Sequence, residues 1–234
     1  MERHFDKQIE KLRTRIIKMS SLVAEQFEFA VRAAEEESRE LANLVIARDR
    51  KVNDYDVKIE KGCMKIFALN HPVAMDLRLN MSALTINGNL ERIGDVASAL
   101  AQRWLELGAK PAFFDRTAFR EMATVAKGML DNAIDSFIEN NAKLAEKTIE
   151  SDARLKRLDD ENAATLVEIM RESPENVEPG VATLELCRLI ERLGDYAVNI
   201  AEDIYFIVEA ETIKHNYEKF LFGADEESDD DDDD

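Results

Sequence analysis

The pentapeptide Glu91-Arg92-Ile93-Gly94-Asp95 recurs 100 residues later as Glu191-Arg192-Leu193-Gly194-Asp195, with four of five residues identical. Residues four apart on a helix are neighbours on one face, so each copy sets two carboxylates side by side, repelling by a few tenths of a kcal/mol. Glycine in a helix interior costs about 1 kcal/mol against alanine. A helix serving only as scaffold has little reason to accept both costs twice, unless the carboxylates face solvent and the glycine marks a close helix approach. The chemical reading is a site for a hard cation, since carboxylate oxygens suit magnesium, manganese, calcium or ferric iron.

Such a site needs further oxygens at the same height on an adjacent helix. The His71-Pro72 step marks a corner between two antiparallel helices, because proline lacks a backbone donor and disfavours helix in the residue before it. Asp49 lies 22 residues before His71, and Asp95 lies 23 after Pro72; Asn53 lies 18 before and Glu91 19 after. At about 1.5 Å rise per residue both pairs are level within roughly one residue, so Asp49 and Asn53 face Glu91 and Asp95. In the second half the corresponding segment is Asp152-Ala-Arg-Leu-Lys156, facing Glu191 and Asp195. Lys156 stands where Asn53 stands in the first half, and an ammonium cannot ligate a cation. The height match is also poorer there, by about three residues, so Asp159 is a substitute carboxylate to consider.

Arg92 and Arg192 flank these motifs. They suit contact with phosphate or with a partner's carboxylate, and equally well simple charge balance for Glu91 and Glu191. The three histidines, His4, His71 and His215, form no Glu-x-x-His pair, which argues against a di-iron oxidase. Neither a glycine-rich phosphate loop nor a Ser–His–Asp spacing occurs, so no catalytic residue is assigned. Cys63 and Cys187 sit among core-type residues and read as reduced, buried thiols. Arg78 reads as capping the early turns of its own helix or pairing with Asp76.

The elements that must position these groups are long helices. Apolar residues step at three and four in six stripes, running from Ile9 to Ala34, Leu41 to Ile66, Leu77 to Trp104, Phe119 to Phe137, Leu144 to Ile169 and Val181 to Val208. That spacing marks helices that bury one face. The third stripe includes Leu77, Met81 and Leu84, the second includes Leu44, and Trp104 and the methionines are read as core. No useful stretch alternates with a period of two. Corners are expected at His71-Pro72 and from Ser173-Pro174 to Pro179-Gly180, and Gly108 to Pro111 is the inter-domain linker. The fold class is all-α: two tandem three-helix bundles, 1–108 and 112–222, each around its own core, followed by a disordered acidic tail, 223–234.

With 49 acidic residues against 31 Lys and Arg, the net charge is −18. That sign disfavours non-specific nucleic-acid binding and docking on an anionic membrane. No apolar run reaches the roughly 18 residues of a membrane span, and the first residues lack the apolar stretch of a signal peptide. A cytoplasmic protein is expected.

The doubled Glu-Arg-[Ile/Leu]-Gly-Asp motif carries a resemblance to the PhoU family, the accessory and regulatory proteins of bacterial phosphate-specific uptake. His71-Pro-Val-Ala-Met-Asp-Leu-Arg78, Asp49-Arg-Lys-Val-Asn53 and Asn199-Ile-Ala-Glu202 support it, over residues 4 to 216. The resemblance implies two three-helix bundles bearing metal clusters of iron, zinc or other metals, magnesium and manganese included. On this chain the ligands would be Asp49, Asn53, Glu91 and Asp95, then Asp152, Glu191 and Asp195, with Lys156 departing from the usual acidic residue. It also implies a non-enzymatic negative regulator of the phosphate-starvation response and modulator of phosphate import, acting between a phosphate ABC transporter and a sensor histidine kinase. A homodimer is expected. The alternative is a metal-dependent enzyme that uses the carboxylates in phosphoryl transfer or oxidation.

Overall fold

A computed structural model describes residues 2–70 and 72–213. The acidic tail at 223–234, the end of the second bundle beyond 213, and His71 and His215 lie outside the described residues. Six helices follow one another: α1 (Glu2–Glu35), α2 (Arg39–Leu69), α3 (Ala74–Leu107), α4 (Phe119–Glu139), α5 (Ala142–Glu172) and α6 (Val177–Glu209). Among the described residues there is no strand.

The turns are set by single residues. Ser38 caps α2 by accepting a hydrogen bond from the Leu41 amide at 3.2 Å. Gly108 ends α3 at φ 78°, where a side chain would be strained. Asn140 takes the left-handed conformation that closes α4, and Asn141 then accepts from the Lys143 amide to start α5. These small polar residues are the punctuation of the two stretches, 34–41 and 138–144, whose composition marks them least. One corner is shorter than the spacing suggests. Only Pro174–Asn176 forms the turn between α5 and α6, and Pro179-Gly180 lies within the first turn of α6. A proline there removes only an amide that the first turn leaves unpaired anyway.

Helices α1–α3 form one bundle and α4–α6 the other, joined side by side through α1 against α4 and α3 against α6. The α3 and α6 helices run antiparallel, with Arg103 paired to Glu185 at one end and Arg78 donating to the Ile207 carbonyl, at 3.3 Å, near the other. Helix α3 buries sixteen residues where α2 buries six, so α3 is central and α2 lies at an edge. Most buried apolar side chains, from Leu12 and Phe27 through Trp104 to Phe119 and Leu193, form one cluster that spans both bundles, with two small clusters at the ends of α5. This corrects the expectation of a separate core in each bundle: the apolar stripes of α3 and α6 are wide enough to pack inward and against each other.

The early part of the α3 stripe is also corrected. Leu77, Met81 and Leu84 are exposed, as are Leu44 and Val181. So are Met64 and Met75, whereas Trp104, Met19, Met122 and Met129 are buried. The exposed set is concentrated where α2 ends and α3 begins, with Phe67, Leu69 and Val73.

Candidate metal centre

The α2–α3 register can be read from contacts. The Asn80 side chain donates to the Cys63 carbonyl at 3.3 Å, and the Asn87 side chain donates to the Asp56 carbonyl and to Asp56 Oδ1. A Cβ on Gly94 would stand 3.0 Å from Val52. These antiparallel pairings put Asp49 level with Asp95 and Asn53 level with Glu91, as the residue counting requires. Asn53 Nδ2 donates to Asp49 Oδ2 at 3.3 Å, leaving its carbonyl oxygen free to face a ligand. Asp49 Oδ1 is buried and has no hydrogen-bond partner. Burial raises the Glu91 carboxyl above its ordinary range, and the charges of Asp95, Asp56 and Asp49 push the same way. Asp95 is raised by partial burial and then by Asp49. Among the described residues neither Glu91 nor Asp95 forms an ion pair.

The second site differs. Lys156 Nζ lies 2.7 Å from Asp152 Oδ2 and 3.7 Å from Asp195 Oδ1. A Cβ on Gly194 would overlap Leu155, the counterpart of Val52 facing Gly94, so the register of the first half is kept, with Asp195 level with Asp152 and Glu191 level with Lys156. This corrects the poorer height match expected from the shorter lead-in to the motif: the difference is taken up at the corner, where Pro174–Asn176 forms the turn, and Asp159 stands to Glu191 as Asp56 does to Glu91. Glu191 is raised by burial, then by Asp195 and Asp159, with Lys156 opposing. Burial also raises Asp195, again against Lys156. Asp159 is raised by burial, and its Oδ1 is buried without a partner.

The glycines therefore have a packing reason of their own. They let Val52 of α2 pack directly on α3, and Leu155 of α5 on α6, where a side-chain methyl would be crowded, so the functional case rests on the carboxylates alone. The first site fits a hard cation: its donors are all oxygens, one of them buried and orphaned, and no ammonium enters it. The second does not fit while Lys156 occupies it. Among the described residues no three His, Cys, Asp or Glu side chains already stand close enough to enclose an ion, so ligation requires these side chains to turn inward.

Counting from the corner missed Asp56. It lies three residues after Asn53, on the same face of α2, and that spacing is its sequence signal. Tyr196 was missed as well. The Arg92 guanidinium stacks 5.8 Å from its ring, and Arg192 donates to its hydroxyl at 3.3 Å. Both arginines thus meet across the α3–α6 seam.

The PhoU domain profile matches residues 16–104 and 119–204, once in each bundle. The chain is 32% identical over 228 residues to the phosphate-specific transport system accessory protein PhoU of Serratia marcescens, covering 94% of this chain and 93% of that protein. It is 32% identical over 213 residues to a phosphate-specific transport system accessory protein PhoU homolog of Aquifex aeolicus, covering 91% and 96%. Its fold matches the crystal structure of PhoU from Pseudomonas aeruginosa with a TM-score of 0.84 and 31% identity, over 88% of this chain and 100% of that one.

Proposed function

This chain belongs to the PhoU domain family, and on that premise we propose that it is an accessory and regulatory protein of phosphate-specific transport. It acts without catalysis, as a helical adaptor that reports adequate phosphate from the transporter to a sensor histidine kinase and so holds the starvation response down. The observation that carries this reading is the match to transport accessory proteins over nearly the whole chain, in both bundles. An adaptor shifts a partner's equilibrium only by binding one of its states better than the other, and the chain offers extended helical faces for that. No helix among the described residues is long and apolar enough to cross a membrane. The exposed apolar tip of the α2–α3 hairpin is a face that a transporter subunit would cover.

Metal belongs to this reading. Asp49, Asn53, Glu91 and Asp95 would hold the first ion, with Asp56 adding negative charge beside them. A bound hard cation supplies positive charge where several carboxylates otherwise repel one another. Iron, magnesium and manganese suit this oxygen set better than zinc, which favours nitrogen and sulfur. Asp152, Glu191 and Asp195, helped by Asp159, would hold a second ion only after Lys156 swings out.

A deletion strain grown in high phosphate tests the function through a phosphate-repressible phosphatase. Constitutive phosphatase activity is the expected result. Normal repression together with accumulation of an unprocessed metabolite would overturn the regulator and favour a metal-dependent enzyme.

A further inference from the structure

The charge of this chain is unevenly distributed. Against a net −18, a groove between α1 and α2 is lined by Lys7, Lys11, Arg15, Lys58, Lys61 and Lys65, with no carboxylate among its lining residues. The depression beside it continues the strip with Lys18 and Lys51 and adds Asp54 alone on the acidic side. Eight cations thus face one carboxylate on a protein with a large acidic excess. Among the described residues none of these eight forms an ion pair, although cations elsewhere, such as Arg48, Arg103, Arg116 and Arg120, do. Arg15 is held in place by donating to the Lys58 carbonyl at 2.7 Å. Aligned cations without counter-charges repel one another, and a polyanion relieves that repulsion along the whole strip.

The sequence supplies such a polyanion. Nine of the ten residues from Asp225 to Asp234 are acidic. The described chain ends at Ile213, which is buried with Ala142, Ala145 and Tyr205, just after Thr212, which lines a depression with Met81 and Ser82. Asn80 reaches the Cys63 carbonyl, so the chain leaves the fold at the height of Lys61 and Lys65. The twelve residues from 213 to 225 span up to about 40 Å. Crossing from α6 past α3 to the α1–α2 groove takes about 30 Å, at 8–10 Å between helix axes. From Lys51 to Lys65 the strip runs about 21 Å along α2, within the roughly 33 Å that ten extended residues cover.

We propose that the α1–α2 groove is a polyanion-binding surface whose occupant is this chain's own acidic stretch, Asp225 to Asp234, folded back in cis. The contact is electrostatic and loose, so it is sensitive to salt and open to competition by another polyanion.

The test uses the full chain carrying a nitroxide on Ser228→Cys. Cys63 and Cys187 are buried and their thiols are pushed up to about 12 by burial, so they do not compete for the label at neutral pH. Paramagnetic broadening of backbone amides is then mapped. The expected broadening concentrates on residues 7–18 and 51–65 in 0.1 M salt, and is lost in 1 M salt as the screening length falls from about 10 to about 3 Å. It is lost equally when Asp229 to Asp234 are all changed to Asn, a variant that alters nothing in the described fold. Lys58→Ser with Lys61→Ser and Lys65→Ser loses it as well, with helicity measured alongside. Broadening that is uniform, lies on another face, or survives high salt would overturn the proposal. So would broadening seen only when labelled chains are mixed with unlabelled, isotope-enriched ones, since that places the contact between two copies.

Discussion

Replacing each helix-interior glycine of the α3, α4 and α6 helices by alanine separates packing from function. Alanine gains about 1 kcal/mol of helix propensity over glycine wherever the new methyl group finds space. At Gly88 and Gly128 nothing lies within 4 Å of the added Cβ, so both variants should be more stable by about that amount. At Gly94 the Cβ stands 3.0 and 3.2 Å from the two methyls of Val52. Val52 is fully buried, and a β-branched side chain has little freedom to turn away. At Gly194 the Cβ overlaps Leu155 and meets Met129 at 3.5 Å, and both of these side chains are buried as well. Overpacking of this kind costs about 1–3 kcal/mol. After subtracting the propensity gain, Gly94→Ala should lose up to about 1 kcal/mol and Gly194→Ala about 1–2 kcal/mol. For a chain of this size each kcal/mol moves the melting temperature by roughly 2–4 °C. Thermal unfolding followed by far-UV circular dichroism should therefore rank Gly88→Ala and Gly128→Ala above the parent, then Gly94→Ala, then Gly194→Ala. A Gly194→Ala chain that melts at or above the parent would refute the claim that close approach of α5 and α6 explains the repeated glycine.

Glu91→Gln with Asp95→Asn should remove most first-site metal, read by elemental analysis of the purified chain, while helicity is kept; unchanged metal content would exclude these ligands. The same pair governs a pH effect. The carboxyls of Glu91, Asp95, Glu191, Asp195 and Asp159 are all held above their ordinary range by burial first, so the folded chain binds these protons more tightly than the unfolded one. Their ionisation costs stability at neutral pH, and that cost disappears as pH falls through the raised values. The melting temperature of the chelator-treated protein should rise as pH falls from neutral toward the ordinary carboxylate range, with a flatter slope in the double variant. Lys156→Asp should increase metal bound per chain, since it removes the ammonium that pairs with Asp152 and approaches Asp195; equal loading of both halves in the parent would show that Lys156 is no obstacle. Arg78→Ala should cost about 1–2 kcal/mol in urea unfolding, because the Arg78 guanidinium serves the last-turn Ile207 carbonyl of α6.

Periodicity and punctuation were enough for the helices. A step of three and four fixes a face on a helix whatever surrounds it, and a proline or capping residue ends that helix by local sterics. The repeated pentapeptide placed two carboxylates on one face in each half, and counting from the His71-Pro72 corner levelled Asp49 and Asn53 with Glu91 and Asp95, because helical rise is nearly constant. Aligning the repeats exposed the Lys156 substitution in the second half, whereas the height mismatch counted there is absorbed at the corner, as only the Gly194–Leu155 contact showed. What a stripe cannot carry is the identity of its neighbour. Only the packed structure showed that α3 and α6 meet and merge two expected cores into one, that Arg78 serves α6 rather than its own first turn, and that Leu77, Met81 and Leu84 are left uncovered. The glycines, ambiguous in sequence, were decided by Val52 and Leu155 on the facing helices. The α1–α2 lysines are separated by acidic residues along the chain and come together only because antiparallel packing superposes residues 7–18 on 51–65; charge along a sequence averages out, whereas charge across a groove does not.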